Sequence, residues 1–473
     1  MTKNKIYDYL DQRFTDFSSI SDAVWDFAEL SLKESKSAEL YCQALAKEGF
    51  EVVRNISKMP TAFMASYGSG RPIIGILAEY DALGSLSQEA NACFRIKDQR
   101  MESGHGCGHN LLGAGSFAAA VGLKAYLSEK RNGTVILYGC PGEEGGAGKA
   151  FMARDGLFYD LDAALTWHPG DTFEVVSGTN NSSIQIEYVF TGVAAHAASD
   201  PQLGRSGLDA VELMNVGVQF LREHMPSYAR LHYAITDAGG VSPNVVPYQA
   251  KVLYMVRSGR TKETLELLKR VDKIAEGAAM MTETKLTRRF IDGTSDVVSN
   301  EGLEKLIYAN LTQLNLPEYV KNEMDYAKAI QSTFVQKPAE CLVRNDLAID
   351  GYIKEKLLSS KVIADFVIPY VHSEKMSMGS TDVGDVSYQT PTAQLTAATY
   401  PIGSPGHSWQ NVALGKSSIA HKGMLTAAKV LAGTAIDLYE DPKLLVEIKN
   451  EFKEKTKDGY FCPIEKDAEP IAV

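Results

Sequence analysis

The sequence predicts an α/β fold in which a doubly wound, mainly parallel sheet is interrupted by a smaller, inserted ferredoxin-like α+β domain. Three observations carry this expectation. Apolar runs at 73–77, 133–140 and 162–167 alternate with helical segments, as a parallel sheet with crossover helices requires. Each run ends in ionisable residues, and open α/β sheets build their sites at the carboxyl ends of strands. Between 183 and 291 the order becomes strand, helix, strand, strand, helix, strand, the split βαβ arrangement. At 473 residues the chain is also too long for one ordinary core. The expected division is a discontinuous larger domain, 1–182 with 292–473, and an inserted domain, 183–291.

Taken in order, residues 37–48 predict a helix with Leu40, Tyr41, Ala44 and Leu45 on one face and Gly49 as its left-handed stop. Strand-like FEVVRNI and TAFMASYG flank the Met59-Pro60 break. The buried run Ile73, Ile74, Ile76, Leu77 follows and delivers Glu79 and Asp81 at its end. A polar connection, 84–103, leads into Gly104-His105-Gly106-Cys107-Gly108-His109-Asn110 and a small-residue helix, 111–130. Strand 133–140 runs directly into Pro141-Gly142-Glu143-Glu144-Gly145-Gly146, and strand 162–167 delivers His168.

In the inserted segment SIQIEYVFTG alternates as a half-buried strand, and the next helix carries a stripe of Val211, Met214, Val218 and Leu221. Strands ARLHYAIT and AKVLYMVRS, a helix over 262–281 and strand KLTRRFI complete it, leaving a sheet face or edge open to a partner. Residues 294–360 are polar helical sequence without a chemical signal. Polar loops return at 378–385 and 403–409.

Composition narrows the function. The balance of 48 Lys+Arg against 59 Asp+Glu, net −11, argues against a nucleic-acid partner. No stretch approaches the ~18 apolar residues of a spanning helix, and the amino terminus has no apolar leader core, so no membrane association is expected. Cys42, Cys93, Cys107, Cys140, Cys341 and Cys462 form no CxxC pair, which predicts a reduced, cytoplasmic protein. Five of these are expected to be packing thiols. Cys107 is set apart by its neighbours.

Cys107 and His109 stand at i and i+2 among glycines that let donors crowd together, which points to a metal. Glu143 and Glu144 sit in an irregular loop at a strand end, where one carboxylate can ligate and the other move a proton. His168 and His407 supply further imidazoles from a strand end and a Gly/Pro/Ser loop. These segments hold enough donors for two divalent ions, which polarise a carbonyl and activate water near neutral pH. Thiolate favours zinc, while the carboxylates admit manganese. His105 is expected to be a supporting neighbour, and His224, His232, His372 and His421 structural or solvent-exposed.

The runs GHGCGHN, PGEEGGAGKAFMARDGLF, TWHPG and GSPGHSWQ resemble metallopeptidase family 20 in its subfamily D, which includes hippurate and auxin-conjugate amidohydrolases. The resemblance covers essentially the whole chain. It implies a zinc-peptidase-like core and an inserted dimerisation or lid domain. It implies Cys107, His109, Glu144, His168 and His407 as metal ligands, with Cys107 bridging, and Glu143 as the general base. In GVAAHAASDP it marks His196 as the group that polarises the scissile carbonyl, often in a partner subunit's site. Asn244 and Arg257 fall in the family's substrate-binding segment, and a planar guanidinium suits a carboxylate.

Two departures stand out. Asn110 replaces an aspartate common in the subfamily, and Glu79-Tyr80-Asp81 replaces the wider family's His-x-Asp. His109 then takes the missing ligand's place, with Asp81 and Asn110 as candidate supports behind the ligands. The implied substrate is a small N-acyl or N-aroyl amino acid, p-aminobenzoyl-glutamate-like, with a basic or β-alanyl dipeptide as the alternative. A catalytically idle binding homologue is the reading from another class, opposed by the intact ligand set. A homodimer is expected, or a heteromer with a related subunit.

Overall fold

A computed structural model describes residues 2–129, 132–336, 342, 344, 347–358 and 361–472. Its strands are β1 Glu51–Arg54, β2 Phe63–Ser69, β3 Ile73–Ala78, β4 Gly133–Gly139, β5 Ala163–Gly170, β6 Glu174–Val176, β7 Thr179–Asn180, β8 Ser182–Thr191, β9 Arg230–Asp237, β10 Gln249–Ser258, β11 Lys285–Thr294, β12 Met376–Ser377 and β13 Thr392–Ala398. Seven form the central sheet in the order β1-β2-β4-β3-β5-β13-β6. Its middle strands β4, β3, β5 and β13 are parallel, and antiparallel strands close both edges.

The parallel centre follows from burial on both faces. Ile74, Ile76, Leu77 and Ala78 of β3 are all inaccessible, so the strand carries no polar alternation. One face is covered by helices His109–Leu127, Ser418–Glu440 and Glu301–Gln313, with Lys3–Gln12 and Phe14–Phe27 outside them. The other face, at Leu77, Tyr138, Phe151 and Phe158, belongs to a second core that continues through Ile186 and Tyr254 of the antiparallel sheet to Val271 of helix Thr261–Thr282.

That second sheet has the order β11-β8-β10-β9, the strand arrangement of the split βαβ unit. Ile184, Ile186, Tyr188 and Phe190 alternate inward from β8. Helices Gly207–Arg222 and Thr261–Thr282 cover this face, and Val211, Met214, Val218 and Leu221 form the expected buried stripe. Edge strand β9 leaves Tyr233 and Ile235 exposed, and the first helix leaves Val216 and Phe220 exposed.

Several elements differ from the sequence reading. The small-residue helix starts at His109 rather than 111, which brings that histidine into its first turn. Its expected last residue, Lys130, lies outside the described residues, as does Cys341. Strand β13 and helix Ser418–Glu440 have no counterpart in that reading. TAQLTAA has few β-branched residues, and a helix buried nearly all round shows no amphipathic period. The helix 35–47 ends with Gly49 at φ +88°, as its sequence implied.

Close approach fixes one glycine that matters for the site. A Cβ on Gly115 of helix His109–Leu127 would lie 2.7 Å from Trp167 Cζ2, whose Nε1 donates to Leu112 O at 3.0 Å. Gly115→Val should therefore push the helix off β5, lowering unfolding stability by about 1–3 kcal/mol in a denaturant titration.

A candidate metal centre at the strand ends

Three strand exits and one helix start converge here. Cys107 and His109 flank Gly108, the helix N-cap, which adopts φ +80° and whose Cβ would lie 2.2 Å from Tyr400 Oη. Only glycine meets both conditions. His109 is fully buried, and its Nδ1 lies 2.8 Å from Asp81 Oδ1 at the end of β3. Asp81 Oδ2 accepts from Ser31 Oγ at 2.7 Å and from the Glu144 backbone N–H at 2.9 Å. One carboxylate thus orients the His109 ring and holds the loop that carries Glu144. Burial opposes its ionisation, but the charge and hydrogen bond of His109 hold it down at about 2.

His168, within β5, places Nδ1 2.8 Å from its neighbour's carbonyl and Nε2 3.4 Å from Cys107 Sγ. His407 is exposed in its loop, with Nε2 3.5 Å from Glu144 Oε1. The donors fall into overlapping triplets whose atoms lie within 4.8 Å of one another: Cys107–His109–His168, Cys107–Glu144–His407 and Glu79–His109–Glu143. Cys107 belongs to the first two.

The donor set fits divalent cations. His109 Nε2 and Glu144 Oε1, 3.9 Å apart, are both buried without a hydrogen-bond partner. Unmet buried polar atoms are costly, and a cation between them removes the cost. Burial lowers the His168 pKa, leaving the neutral imidazole that a metal needs, and pushes the Cys107 thiol up to about 12. A thiol so placed ionises when a cation binds it. Burial, reinforced by Glu79 and Asp382, pushes the Glu143 carboxyl well above the ordinary range, and burial also raises that of Glu144.

The other expected site residues lie elsewhere. His105 Nε2 meets Val24 O at 3.0 Å, and burial pushes its pKa down to about 4. It belongs to none of the triplets. Asn110 Nδ2 donates to Ser21 Oγ and Gly415 O, both at 3.0 Å, rather than to a candidate ligand. His196 is exposed, next to Val245 in an isolated bridge, and its Nδ1 accepts from the backbone of Ala198 and Ser199. Nε2 is then the protonated nitrogen, free to donate. Asn244 is exposed, its carbonyl accepting from Ala197 N. Arg257 is half-buried at the end of β10, with Nη1 3.4 Å from Met378 O and from Ser380 Oγ. No carboxylate pairs with it among the described residues.

Sequence reasoning missed the role of Lys149. Its fully buried Nζ lies 2.8 Å from Glu79 Oε1 and 2.5 Å from Asp382 Oδ1. Glu79 was signalled by its place at a strand end. The pairing with Asp382, 233 residues from Lys149 along the chain, had no signal.

This α/β core and its cation-ready strand ends define a metal-dependent hydrolase of amide bonds. The chain belongs to peptidase family M20/M25/M40, which it matches over residues 75–435. It is 45% identical to the B subunit of p-aminobenzoyl-glutamate hydrolase from Escherichia coli (strain K12), over 98% of this chain and 99% of that one. A murine (Mus musculus) Xaa-Arg dipeptidase is 27% identical, over 97% and 94% of the two chains. The solved structure of a dinuclear metal-binding M20-family peptidase from Bacillus subtilis shares the fold, with TM-score 0.55 and 18% identity over 91% of this chain and 99% of that one.

The shared donor makes a graded outcome testable. Metal analysis after dialysis should show Cys107→Ala losing about two ions per chain and His407→Ala about one, because Cys107 serves the first two triplets and His407 the second alone.

Proposed function

We propose that this chain hydrolyses the amide bond of N-acyl or N-aroyl amino acids, p-aminobenzoyl-glutamate foremost, with two divalent ions held by Cys107, His109, Glu144, His168 and His407. The observation that carries this reading is Cys107, common to two donor triplets. Manganese and zinc both suit the mixed set of thiolate, imidazole and carboxylate. When bound, such ions polarise the carbonyl and ease deprotonation of the attacking water.

The chain's own groups do the rest. Glu143, with no ion-pair partner among the described residues, takes the water's proton and returns it to the leaving nitrogen. Arg257, lacking a carboxylate partner among the described residues, binds the free carboxylate of the amino acid, and Asn244 adds a polar contact. His196 donates from Nε2 to the scissile carbonyl oxygen. Because it is exposed on the antiparallel unit, we assign it to the site of a partner subunit. The open edge of β9 and exposed Phe220 supply a face for that pairing, with a second copy or with a related subunit, as the name of the E. coli relative suggests. We take 183–291 as the inserted dimerisation or lid unit and 1–182 with 292–473 as the catalytic one.

Among the described residues no helix is long and apolar enough to cross a membrane. The free thiols Cys42, Cys93, Cys107, Cys140 and Cys462 support a reducing, cytoplasmic setting.

Glu143→Gln should retain both ions while the hydrolysis rate falls by about 10²–10⁴. Near-full activity in that variant overturns the division of labour between the two glutamates. A panel of p-aminobenzoyl-glutamate, hippurate and Xaa-Arg dipeptides, run with Mn²⁺ and with Zn²⁺, ranks the substrate classes; turnover confined to the dipeptides favours the alternative. His196→Ala should be inactive with its metal retained, and mixing it with Glu143→Gln should recover some activity. Verified mixed dimers without recovery count against a shared site.

A further inference from the structure

Glu79 and Lys149 have no part in the reading above, yet both touch its centre. The side chain of Glu79 is 3% exposed and that of Lys149 fully buried. Glu79 Oε1 is taken by Lys149 Nζ at 2.8 Å, while Oε2 lies 3.3 Å from His109 Nε2. That second contact is the informative one.

His109 Nδ1 is committed to Asp81, whose carboxylate accepts from it, so Nε2 is the ring atom that faces Glu79. The two atoms lie 3.3 Å apart in a buried place, and Nε2 makes no hydrogen bond there. A cation taking the place of a proton on Nε2 would bind both atoms at once. Two donors about 2.0–2.1 Å from one tetrahedral ion sit about 3.3 Å apart, which is the separation seen here. Cys107 Sγ and His168 Nε2, at 3.4 Å, show a similar spacing in the first triplet.

We propose that Glu79 is a sixth protein ligand of the centre, on the ion held by His109, and that Lys149 is the positioning residue that fixes it there. Lys149 leaves Oε2 as the one oxygen of Glu79 free for the ion and is itself anchored twice by Asp382, at Nζ and at its backbone N–H, 2.8 Å from Oδ2. The arrangement also separates two adjacent acids by task. Glu79 is immobilised by an ion pair, whereas Glu143, in the same triplet, has none among the described residues and stays free to carry a proton. The inference rests on the two-ion reading of the site and not on its substrate.

The test is a metal titration that needs no turnover. Metal-free wild type, Glu79→Gln and Glu79→Asp are titrated with Mn²⁺, the free ion being followed by paramagnetic resonance. Wild type is expected to bind two ions per chain. Glu79→Gln is expected to bind one of them at least tenfold more weakly and the other unchanged. Glu79→Asp keeps the charge opposite Lys149 but withdraws the carboxylate by one methylene, so it preserves the fold if Glu79→Gln does not, and should show the same selective loss. Wild-type affinities at both sites in a folded variant overturn the proposal, as does equal weakening of both. A wild type that binds two ions yet cleaves no member of the substrate panel refutes the proposed activity without touching Glu79.

Discussion

Concentrated negative charge at the strand ends is the constraint on which the rest of this structure depends. Glu79, Asp81 and Asp382 are buried, with Glu143 and Glu144 half-buried beside them. Lys149 is the one lysine or arginine paired with any of them among the described residues. An unpaired buried carboxylate costs several kcal/mol, and close carboxylates raise one another's pKa. Hydrogen bonding relieves part of this at Asp81, which receives Ser31 and the Glu144 amide. The remainder calls for cations. Two divalent ions and Lys149 would supply five positive charges against five carboxylates and the Cys107 thiolate, which leaves the centre close to neutral.

The scaffold sustains that density by drawing each group from a different element. Parallel β3, β4 and β5 all point their carboxyl ends the same way, so chain segments far apart in sequence deliver their side chains to one place. The Gly108 cap turns His109 inward on the first turn of a buried helix. Asp81 and Lys149 then act as opposite clamps, one on the imidazole and the Glu144 loop, the other on Glu79 and the loop that holds Asp382.

That second clamp reaches further than the centre itself. Asp382 stands two residues from Ser380, which touches Arg257 of the antiparallel sheet. The ion pair at Lys149 therefore links the strand ends to the guanidinium assigned to the substrate carboxylate through one short loop. The proposed site, drawn from both sheets, depends on such ties, since the second apolar core is shared between them and continuous packing transmits displacement.

The sequence by itself determined the periodic elements and the donor types. Alternation fixed β8, an apolar stripe fixed its first helix, continuous apolar runs fixed β3 to β5, the glycine loop marked Cys107 and His109, and strand ends marked Glu143, Glu144 and His168. These signals are local, because strand and helix periods and turn chemistry act within a few residues. It could not show β13, whose place beside β5 is set by pairing rather than by its own side chains, nor the long helix whose burial erases its period. Nor could it show the Lys149–Asp382 pair or the close approach of His109 Nε2 to Glu79. Those are matters of distance across the folded chain, and tertiary structure alone decided them, since only packing brings charges hundreds of residues apart out of water and into contact.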